Sequence, residues 1–145
     1  MTSMVSTAVS AVIAALNAAP AVAGQVARVR LRPWAADVMQ AVVVRPVESQ
    51  ADQTAITTGL PVSWTTAIAV DCYARSKAAA TAPDAAVDAL LESVYARLMT
   101  DASLGGAVLA LIPQGISYEF DVDGEQTTCA VLTFQARHRT GGASL

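Results

Sequence analysis

The stretch SWTTAIAVDCYARS spans residues 63–76 and decides the fold. Its alternate positions carry the larger side chains in one phase: Trp64, Thr66, Ile68, Val70 and Cys72. Successive side chains of a β-strand point to opposite faces of the sheet, so a period of two indicates a strand. The stretch therefore predicts one long strand, and the elements on either side are placed relative to it.

A helix is predicted after a connector over residues 77–82. Pro83 suits the first helical position, because the N–H that proline lacks has no partner within the helix there. Thr81 is the predicted cap, and Asp84 and Asp88 complement the positive end of the helix dipole. The predicted apolar stripe consists of Val87, Leu90, Leu91, Val94, Tyr95 and Leu98. This spacing predicts a helix over residues 83–101 that packs on the sheet.

A glycine pair and a hairpin pattern follow the helix. Gly105 and Gly106 are predicted to end the helical region. Residues 107–112 fit either a further strand or a last helical turn, and the pattern does not decide between them. Apolar and polar residues then alternate over 116–123, and Asp123-Gly124 is typical of a type I′ hairpin turn. A two-residue turn would pair Phe120 with Thr127, Tyr118 with Cys129, and Ile116 with Val131.

The return strand of this hairpin changes its phase. Its apolar positions move from Cys129 and Val131 to Leu132, Phe134 and Ala136. Either both faces of the strand are buried there, or a bulge intervenes.

The N-terminal residues partly resemble a secretory signal, with an apolar run over 5–16 and a cleavage-like site over 21–23. However, the first seven residues carry no Lys or Arg, and polar residues interrupt the run. An amphipathic helix capped at Thr2 or Ser3 fits better, with the stripe Val5, Val9, Val12, Ile13 and Leu16. We expect this helix to be retained, with cleavage after Ala23 as the alternative. No run reaches the roughly 18 apolar residues of a membrane span.

Two further strands are predicted between the first helix, closed by Pro20 and Gly24, and the long strand. They cover residues 27–32 and 38–45, and the second is nearly continuous in β-branched residues, as in a strand covered on both faces. In the first, the arginines alternate with apolar residues, so their guanidinium groups project from one face. This stripe is either a solvated face or a contact for a subunit or a phosphate. Residues 46–61 are polar and bounded by prolines, which predicts a long surface loop.

Length, composition and charge bound the class of protein. The 145 residues fit a single domain, 1–145. Because 54% of residues are hydrophobic and only 5% aromatic, we expect a thin core of small side chains, suited to further burial against copies of itself. The net charge of −3 argues against sequence-specific nucleic acid binding. Cys72 and Cys129 lack the spacing of a zinc or redox site, so we expect free buried thiols rather than a disulfide.

No constellation of reactive residues stands out in the sequence. Asp121-x-Asp123-Gly124 resembles the opening of an EF-hand loop, but no bidentate Glu follows at the required spacing. His138 is the only histidine, no nucleophile is marked to partner it, and we expect it at the surface. The acidic residues of the predicted helix are expected to form a solvated face: Asp84, Asp88 and Glu92. The sequence therefore predicts no enzyme activity, no cofactor and no metal site.

The order of these elements resembles the tail terminator proteins of long-tailed bacteriophages, the minor tail protein U type. The residues that carry the resemblance are the strand over 64–73, Pro83-Asp84 at the helix start, Asp101-x-x-Leu104, and a hairpin ending in Arg137-x-Arg139-Thr140. The N-terminal helix and the strand around Val42 fall in the same order, so the resemblance covers most of the chain. It is one of element order, length and hydrophobic pattern, because the family has no catalytic motif. The Ala-rich N-terminus and the Gly-Gly-Ala-Ser-Leu tail depart from the family.

The resemblance implies an α/β (α+β) fold, in which a mostly antiparallel β-sheet is flanked by the N-terminal helix and the central helix. It implies a homo-oligomer, a hexameric ring, that caps the tail tube, ends polymerisation of the major tail tube protein and offers a joining surface to the head-tail connector. Such a protein would be assembled in the host cytoplasm and belong to the virion at the tail or neck, with no membrane partner. Its mechanism would be steric and interfacial.

Two groups of residues are candidate contacts in such a ring. We hypothesise that two one-sided charged stripes meet across a subunit interface, and they consist of Arg28, Arg30, Arg32, Glu119, Asp121 and Asp123. The polar loop is a candidate partner-docking segment that includes Glu48, Gln50, Asp52 and Gln53. Two alternatives stay open. One is a head-completion or neck connector protein, and the other is a small secreted binding domain, which requires cleavage after Ala23.

Overall fold

Five strands form one sheet and two helices pack on it, in the residues that the computed structural model describes: 2–29, 35, 37–52, 60–75, 82–120, 127–141 and 145. The elements in chain order are α1 (Met4–Asn17), β1 (Val26–Arg28), β2 (Gln40–Ala51), β3 (Val62–Arg75), α2 (Pro83–Thr100), β4 (Ala110–Phe120) and β5 (Thr127–Thr140). The strand order across the sheet is β1-β2-β3-β5-β4. β1 runs parallel to β2, and all other neighbours are antiparallel. This α+β architecture confirms the expected fold class.

The centre of the sheet is the pair β3 and β5. These strands have 14 residues each, and they pair without a register shift from Val62 opposite Thr140 to Arg75 opposite Thr127. The long strand predicted over 63–76 is therefore confirmed up to Arg75, and Ser76 lies outside the described residues. β2 flanks this pair on one side and β4 on the other, so both central strands have two neighbours.

One face of the sheet carries the core, and we call it the helix side. Val44, Val70 and Leu132 lie side by side on it and are almost fully buried. Both helices place their apolar stripes here, and the buried members are Ala8, Val9, Val12 and Leu16 of α1, and Val87, Leu90, Leu91, Val94 and Leu98 of α2. Three members of the predicted stripes differ: Val5 and Ile13 of α1 are only half-buried, and Tyr95 of α2 is 42% exposed. No described helix packs on the opposite face, which we call the open side.

Side chains form hydrogen bonds with the free backbone groups at both ends of α1. Ser3 is its N-cap, and the Ser3 hydroxyl accepts a hydrogen bond from the Ser6 amide at 3.2 Å, as predicted. At its C-terminal end Arg97 of α2 donates to the carbonyl oxygens of Ala15 and Ala18 at 3.0 and 2.7 Å. A cation there stabilises the negative end of the helix dipole. Neither α1 nor α2 is long and apolar enough to cross a membrane.

α2 differs from its prediction at both ends. Its N-cap is Ala82, whose side chain makes no capping hydrogen bond, and the predicted cap Thr81 lies outside the described residues. The helix ends at Thr100, and the chain then turns around the Asp101 carboxylate, which accepts hydrogen bonds from Ser103 and Gly105. Hydrogen bonds from the Ser103 hydroxyl, the Gly105 amide and the Ser103 amide, in decreasing order of effect, lower the pKa of Asp101 below its ordinary value. This loop, rather than a helical turn, leads to β4.

β2 is longer than predicted, and the surface loop begins later. The strand runs to Ala51, so residues 46–51 are strand and not the start of a loop. The register shifts at a bulge between Pro46 and Glu48, after which pairing with β3 resumes up to Ala51 opposite Trp64. The prediction failed because polar residues on the exposed end of a flanking strand have the composition of a loop. β1 covers only 26–28, and residues 30–32 of the predicted first strand lie outside the described residues.

The hairpin of β4 and β5 is confirmed, but its predicted register is wrong by one residue. Phe120 lies opposite Thr128, and the pairs Tyr118 with Ala130 and Ile116 with Leu132 follow. The bulge lies in β4 between Pro113 and Gly115, and the start of β5 is buried on both faces at Thr127, Thr128, Cys129 and Ala130. The turn at Asp123-Gly124 lies outside the described residues. Of the two options for 107–112, the structure has a turn that becomes β4 at Ala110.

The two bulges lie in the same row of the sheet. Pro46 is opposite Ile68, Ile68 is opposite Phe134, and Phe134 is opposite Pro113. Each bulge therefore begins at a proline, a residue that is found in sheets mainly at bulges and in outer strands. Bulges also increase the local twist of a strand. The sheet is therefore interrupted on both sides of its central pair at one level.

We expect Leu91→Asp to lower the free energy of unfolding by about 3 kcal/mol or more, because it places an unpaired carboxylate in the core. Leu91 is 6% exposed in the contact between α2 and the sheet. Ala89→Asp, on the exposed face of the same helix, is the matched control and should cost far less. Urea unfolding followed by circular dichroism measures both, and equal stabilities for the two variants would contradict the packing of α2.

Candidate assembly surfaces

The outer strands of the sheet carry the described members of the two charged stripes. Arg28 ends β1 at one edge, and Glu119 lies on β4 at the other edge. The other four residues of the stripes, Arg30, Arg32, Asp121 and Asp123, lie outside the described residues. Because the two edges are separated by three strands, Arg28 and Glu119 of one chain do not meet. A contact between Arg28 and Glu119 therefore requires two copies.

Arg28 is held on the helix side of the sheet. It lies opposite Val44, and its guanidinium group donates to the Ser6 hydroxyl at 2.9 Å and the Ser10 hydroxyl at 3.3 Å, both on α1. Glu119 lies opposite Cys129, which places it on the open side. The two charges thus project from opposite faces. In an extended sheet built from copies with their helices on the same side, Arg28 and Glu119 cannot be direct neighbours.

The helix side of β4 is apolar and uncovered. Ile116, Tyr118 and Phe120 point to this side because they pair with Leu132, Ala130 and Thr128 of β5, yet they are 49%, 48% and 55% exposed. The reason is the position of α2, which packs over β3 and β5 and not over β4. The rings of Tyr118 and Phe120 stack with centroids 6.3 Å apart. We call these three residues the β4 row.

A groove runs between the β4 row and α2. Its volume is about 540 Å³, and Tyr118 and Phe120 form one wall while Asp84, Ala85 and Asp88 form the other. Both aspartates are exposed, as is Glu92, so the expected solvated acidic face of this helix is confirmed. The groove has no signal in the sequence, because the alternation in 116–120 indicates which residues share a face but not whether a helix covers that face.

The residues assigned to a docking loop lie mostly on strand β2. Glu48 and Gln50 are strand residues on the open side, opposite Ala67 and Thr65, and the Gln50 amide donates to the Glu48 carboxylate at 2.9 Å. Asp52 follows the strand, and its amide donates to the Ser63 carbonyl. Gln53 lies outside the described residues. The polar segment that remains for a loop is therefore shorter than the sequence predicts.

An ion pair lies on the open side of the sheet. Arg45 and Asp71 lie diagonally across β2 and β3, and Arg45 Nε donates to Asp71 Oδ2 at 2.9 Å. This hydrogen bond raises the pKa of Arg45 above its ordinary value. Asp71 is 6% exposed, and its other oxygen has no hydrogen-bond partner. The ion pair with Arg45 therefore offsets the cost of removing the Asp71 carboxylate from water.

Both cysteines are free and buried, as expected. Cys72 lies opposite Ala130, while its neighbour Tyr73 lies opposite Cys129, so the two thiols project from opposite faces of the sheet. A disulfide between them would need side chains on one face. Burial raises the pKa of Cys72 to about 12 and that of Cys129 to about 11. Thiols with such high pKa values are poor nucleophiles at neutral pH.

His138 is buried, and the expectation that it lies at the surface is wrong. It is 3% exposed, on the helix side beside Trp64. His138 Nε2 and Thr66 Oγ1 are 2.7 Å apart, and Thr66 Oγ1 is 2.7 Å from Ser49 Oγ. Its neighbours Arg137 and Arg139 point to the open side and are exposed, which explains the wrong prediction. The period of two in β5 was the signal that could have placed it inside.

The second ring nitrogen of His138 has no hydrogen-bond partner. The histidine lines a small pocket of about 260 Å³ together with Val5, Trp64, Thr140 and Leu145. Desolvation by burial lowers the pKa of His138, because the charged imidazolium loses its hydration. Among the described residues, no group of three or more His, Cys, Asp or Glu side chains is placed to hold a metal ion.

The lowered pKa of His138 predicts an acid-sensitive contribution to stability. The unfolded chain takes up a proton near pH 6.5, whereas the folded chain resists it, so stability is complete above about pH 6.5 and falls with decreasing pH until the folded-state pKa is passed. We expect urea unfolding between pH 7.5 and 5 to show this fall in the natural chain and a smaller one in His138→Gln. Since the chain has one histidine, identical pH profiles would contradict the assignment.

No protein-family model matches the sequence, and no curated protein matches it either. Among solved structures, the chain is similar to a chain of the "Virion of native gene transfer agent (GTA) particle". The TM-score of that match is 0.46 at 12% sequence identity, and it covers 88% of this chain and 84% of the other.

Proposed function

We propose that the protein is a structural component of a long-tailed bacteriophage that forms a ring on the end of the tail tube. The observation that carries the proposal is the order α1-β1-β2-β3-α2-β4-β5 in one mostly antiparallel sheet with helices on one face. This is the arrangement that the resemblance to tail terminator proteins implies. The ring ends polymerisation of the major tail tube protein and offers its other surface to the head-tail connector.

The sheet is suited to assembly because its two edges differ. One edge is the three-residue strand β1, which ends at Arg28, and the other is the 11-residue strand β4 with its apolar row. An interface between two different surfaces of the same chain leaves one surface of each kind free after every addition, and it closes into a ring when the rotation allows. A hexamer is the ring size that the resemblance implies.

The proposed mechanism is steric and involves no change of covalent bonds. A ring seated on the last layer of the tube occupies the surface that the next subunit of the tube protein needs. Its binding energy comes from apolar area and complementary charge repeated around the ring. The open side of the sheet, with exposed residues such as Glu48, Gln50, Arg137 and Arg139, supplies polar surface for such contacts.

The proposal is tested with the purified chain and a polymerising tail tube protein from the phage that encodes it. Native mass spectrometry and negative-stain microscopy should give a closed ring, and adding that ring should shorten the tubes to a uniform length. A ring that binds the head connector and leaves tube length unchanged would identify a head-completion protein instead. A chain that stays monomeric and leaves tube length unchanged would contradict the proposal.

We expect replacement of residues 53–59 by a short Gly/Ser linker to leave the fold intact and to abolish capping. Asp52 and Ser63 already lie close, since the Asp52 amide donates to the Ser63 carbonyl at 2.9 Å, so a short connection closes the two strands. Electron microscopy of particles assembled with the variant should show overlong tails or tails without heads. Normal tails of uniform length would remove this segment from the mechanism.

Replacement of residues 48–59 is the control for this experiment. It also deletes the last four residues of β2, which pair with β3 from Glu48 opposite Ala67 to Ala51 opposite Trp64. We expect this longer replacement to lower the melting temperature clearly, whereas the shorter one should change it little. Equal melting temperatures for both variants would contradict the extension of β2 to Ala51.

A further inference from the structure

The helices do not cover the helix side of β4. α2 packs over β3 and β5, so the β4 row lies beside this helix and not beneath it. The three side chains of the row are each about half exposed, and the rings of Tyr118 and Phe120 are nearly parallel, with an angle of 8° between their planes. Large apolar side chains that adjoin one another and stay exposed mark a surface for a partner.

The space beside α2 has the dimensions of one more helix. Packed helices lie about 8–10 Å apart between their axes, which is about two strand spacings of a sheet. α2 contacts both β3 and β5, so its axis runs above the boundary between these strands. A helix at the next interaxial distance lies above β4, where the groove of about 540 Å³ is located. Such a helix would bury the β4 row and extend the layer that α1 and α2 form.

The wall of the groove that α2 supplies is acidic. Asp84 and Asp88 are four residues apart, so their side chains are neighbours on one face of the helix, and both line the groove. Both are exposed, and within the described part of the chain neither forms an ion pair. The opposite wall consists of the uncharged rings of Tyr118 and Phe120. The groove therefore favours an occupant that has an apolar stripe with basic side chains beside it.

The described helices of a second copy do not have this chemistry. α1 contains no Lys or Arg. The only basic residue of α2 is Arg97, and its guanidinium group already donates to the carbonyl oxygens at the end of α1. Both helices also bury their apolar stripes against their own sheet. The occupant that fits the groove is therefore a helix from a different protein.

We propose that this groove binds an amphipathic helix of another protein, which packs beside α2 and covers the β4 row. The apolar stripe of the bound helix contacts Ile116, Tyr118 and Phe120, as in other helix-in-groove complexes. Lysines or arginines one turn apart on its flank pair with Asp84 and Asp88. The backbone edge of β4 stays unpaired in this arrangement. The inference goes beyond the proposed function, because it concerns a surface of the single chain and does not need a ring.

The probe is a designed amphipathic peptide that a covalent crosslink on its outer face holds in a helix. It has leucines along one stripe and two lysines one turn apart on the flank, and a second version has glutamates in place of the lysines. In fluorescence anisotropy at low salt, the lysine peptide should bind the natural chain about tenfold more tightly than the glutamate peptide, with a smaller difference at high salt. Equal affinities at low salt overturn the inference.

The apolar contact is tested with Tyr118→Ser and Phe120→Ser combined in one chain. Both side chains are already half exposed, so the fold should persist, while the affinity for the lysine peptide should fall about tenfold or more. Val47→Ser is the matched control, because Val47 is 55% exposed on β2, away from the groove, and should bind as the natural chain does. Thermal melting checks the fold of each variant. Unchanged binding by the double variant would show that the peptide lies elsewhere.

The acidic wall is tested by a change of sign. Asp88→Lys should weaken binding of the lysine peptide and strengthen binding of the glutamate peptide, which a general loss of stability would not do. Asp84→Asn combined with Asp88→Asn should also weaken binding of the lysine peptide. The matched control is Glu48→Gln combined with Asp52→Asn, which removes the same charge at and beyond the end of β2 and should change the affinity little. Equal losses in the two double variants would mean that only net charge matters, and the inference would be wrong.

Other occupants of the β4 row would give different results. If the peptide binds only without its crosslink and with the circular dichroism of a strand, β4 accepts an added strand and the inference is wrong. It is also wrong if the natural chain self-associates and the serine double variant abolishes this, because a second copy then covers the row. A natural chain that binds the helical peptide as expected but leaves tube length unchanged supports the inference and contradicts the capping function.

Discussion

The antiparallel pairing of β3 with β5 is the interaction on which the rest of the structure depends. It joins 14 residues of each strand without a register shift, although α2 and β4 lie between them in the chain. Both helices bury their apolar stripes against the helix side of this pair. The residues at the centre of that surface are Ile68, Val70, Leu132 and Phe134. Because the contact is long in sequence separation, its loop-closure entropy must be offset by the burial of both helices.

The position of the two helices on one face of the sheet determines which apolar surface stays exposed. α1 and α2 lie side by side over β1, β2, β3 and β5, and Arg97 of α2 donates hydrogen bonds to the carbonyl groups at the end of α1. Two helices do not span five strands, so the helix side of β4 stays uncovered. The exposed β4 row is thus a geometric consequence of the core and not a separate addition to it.

The sequence predicted those elements in which a periodic pattern coincides with burial. α1, α2 and β3 are of this kind, since each has a continuous buried stripe. Predictions failed where the pattern leaves the face or the register undecided. The hairpin register differs by one residue from the predicted one. The register depends on the number of residues in the turn, and the alternation of side chains does not give that number. His138 is a different case, because the period of two in β5 places it on the buried face, but its exposed neighbours Arg137 and Arg139 favoured the surface.

The two proline bulges have a consequence for the edges of the sheet. At the row of Pro46, Ile68, Phe134 and Pro113 both flanking strands shift their register, whereas β3 and β5 pair across it without a shift. Because bulges increase the local twist, the two outer strands change direction at this row relative to the central ladder, and the prolines thereby set the angle at which each edge of the sheet is presented.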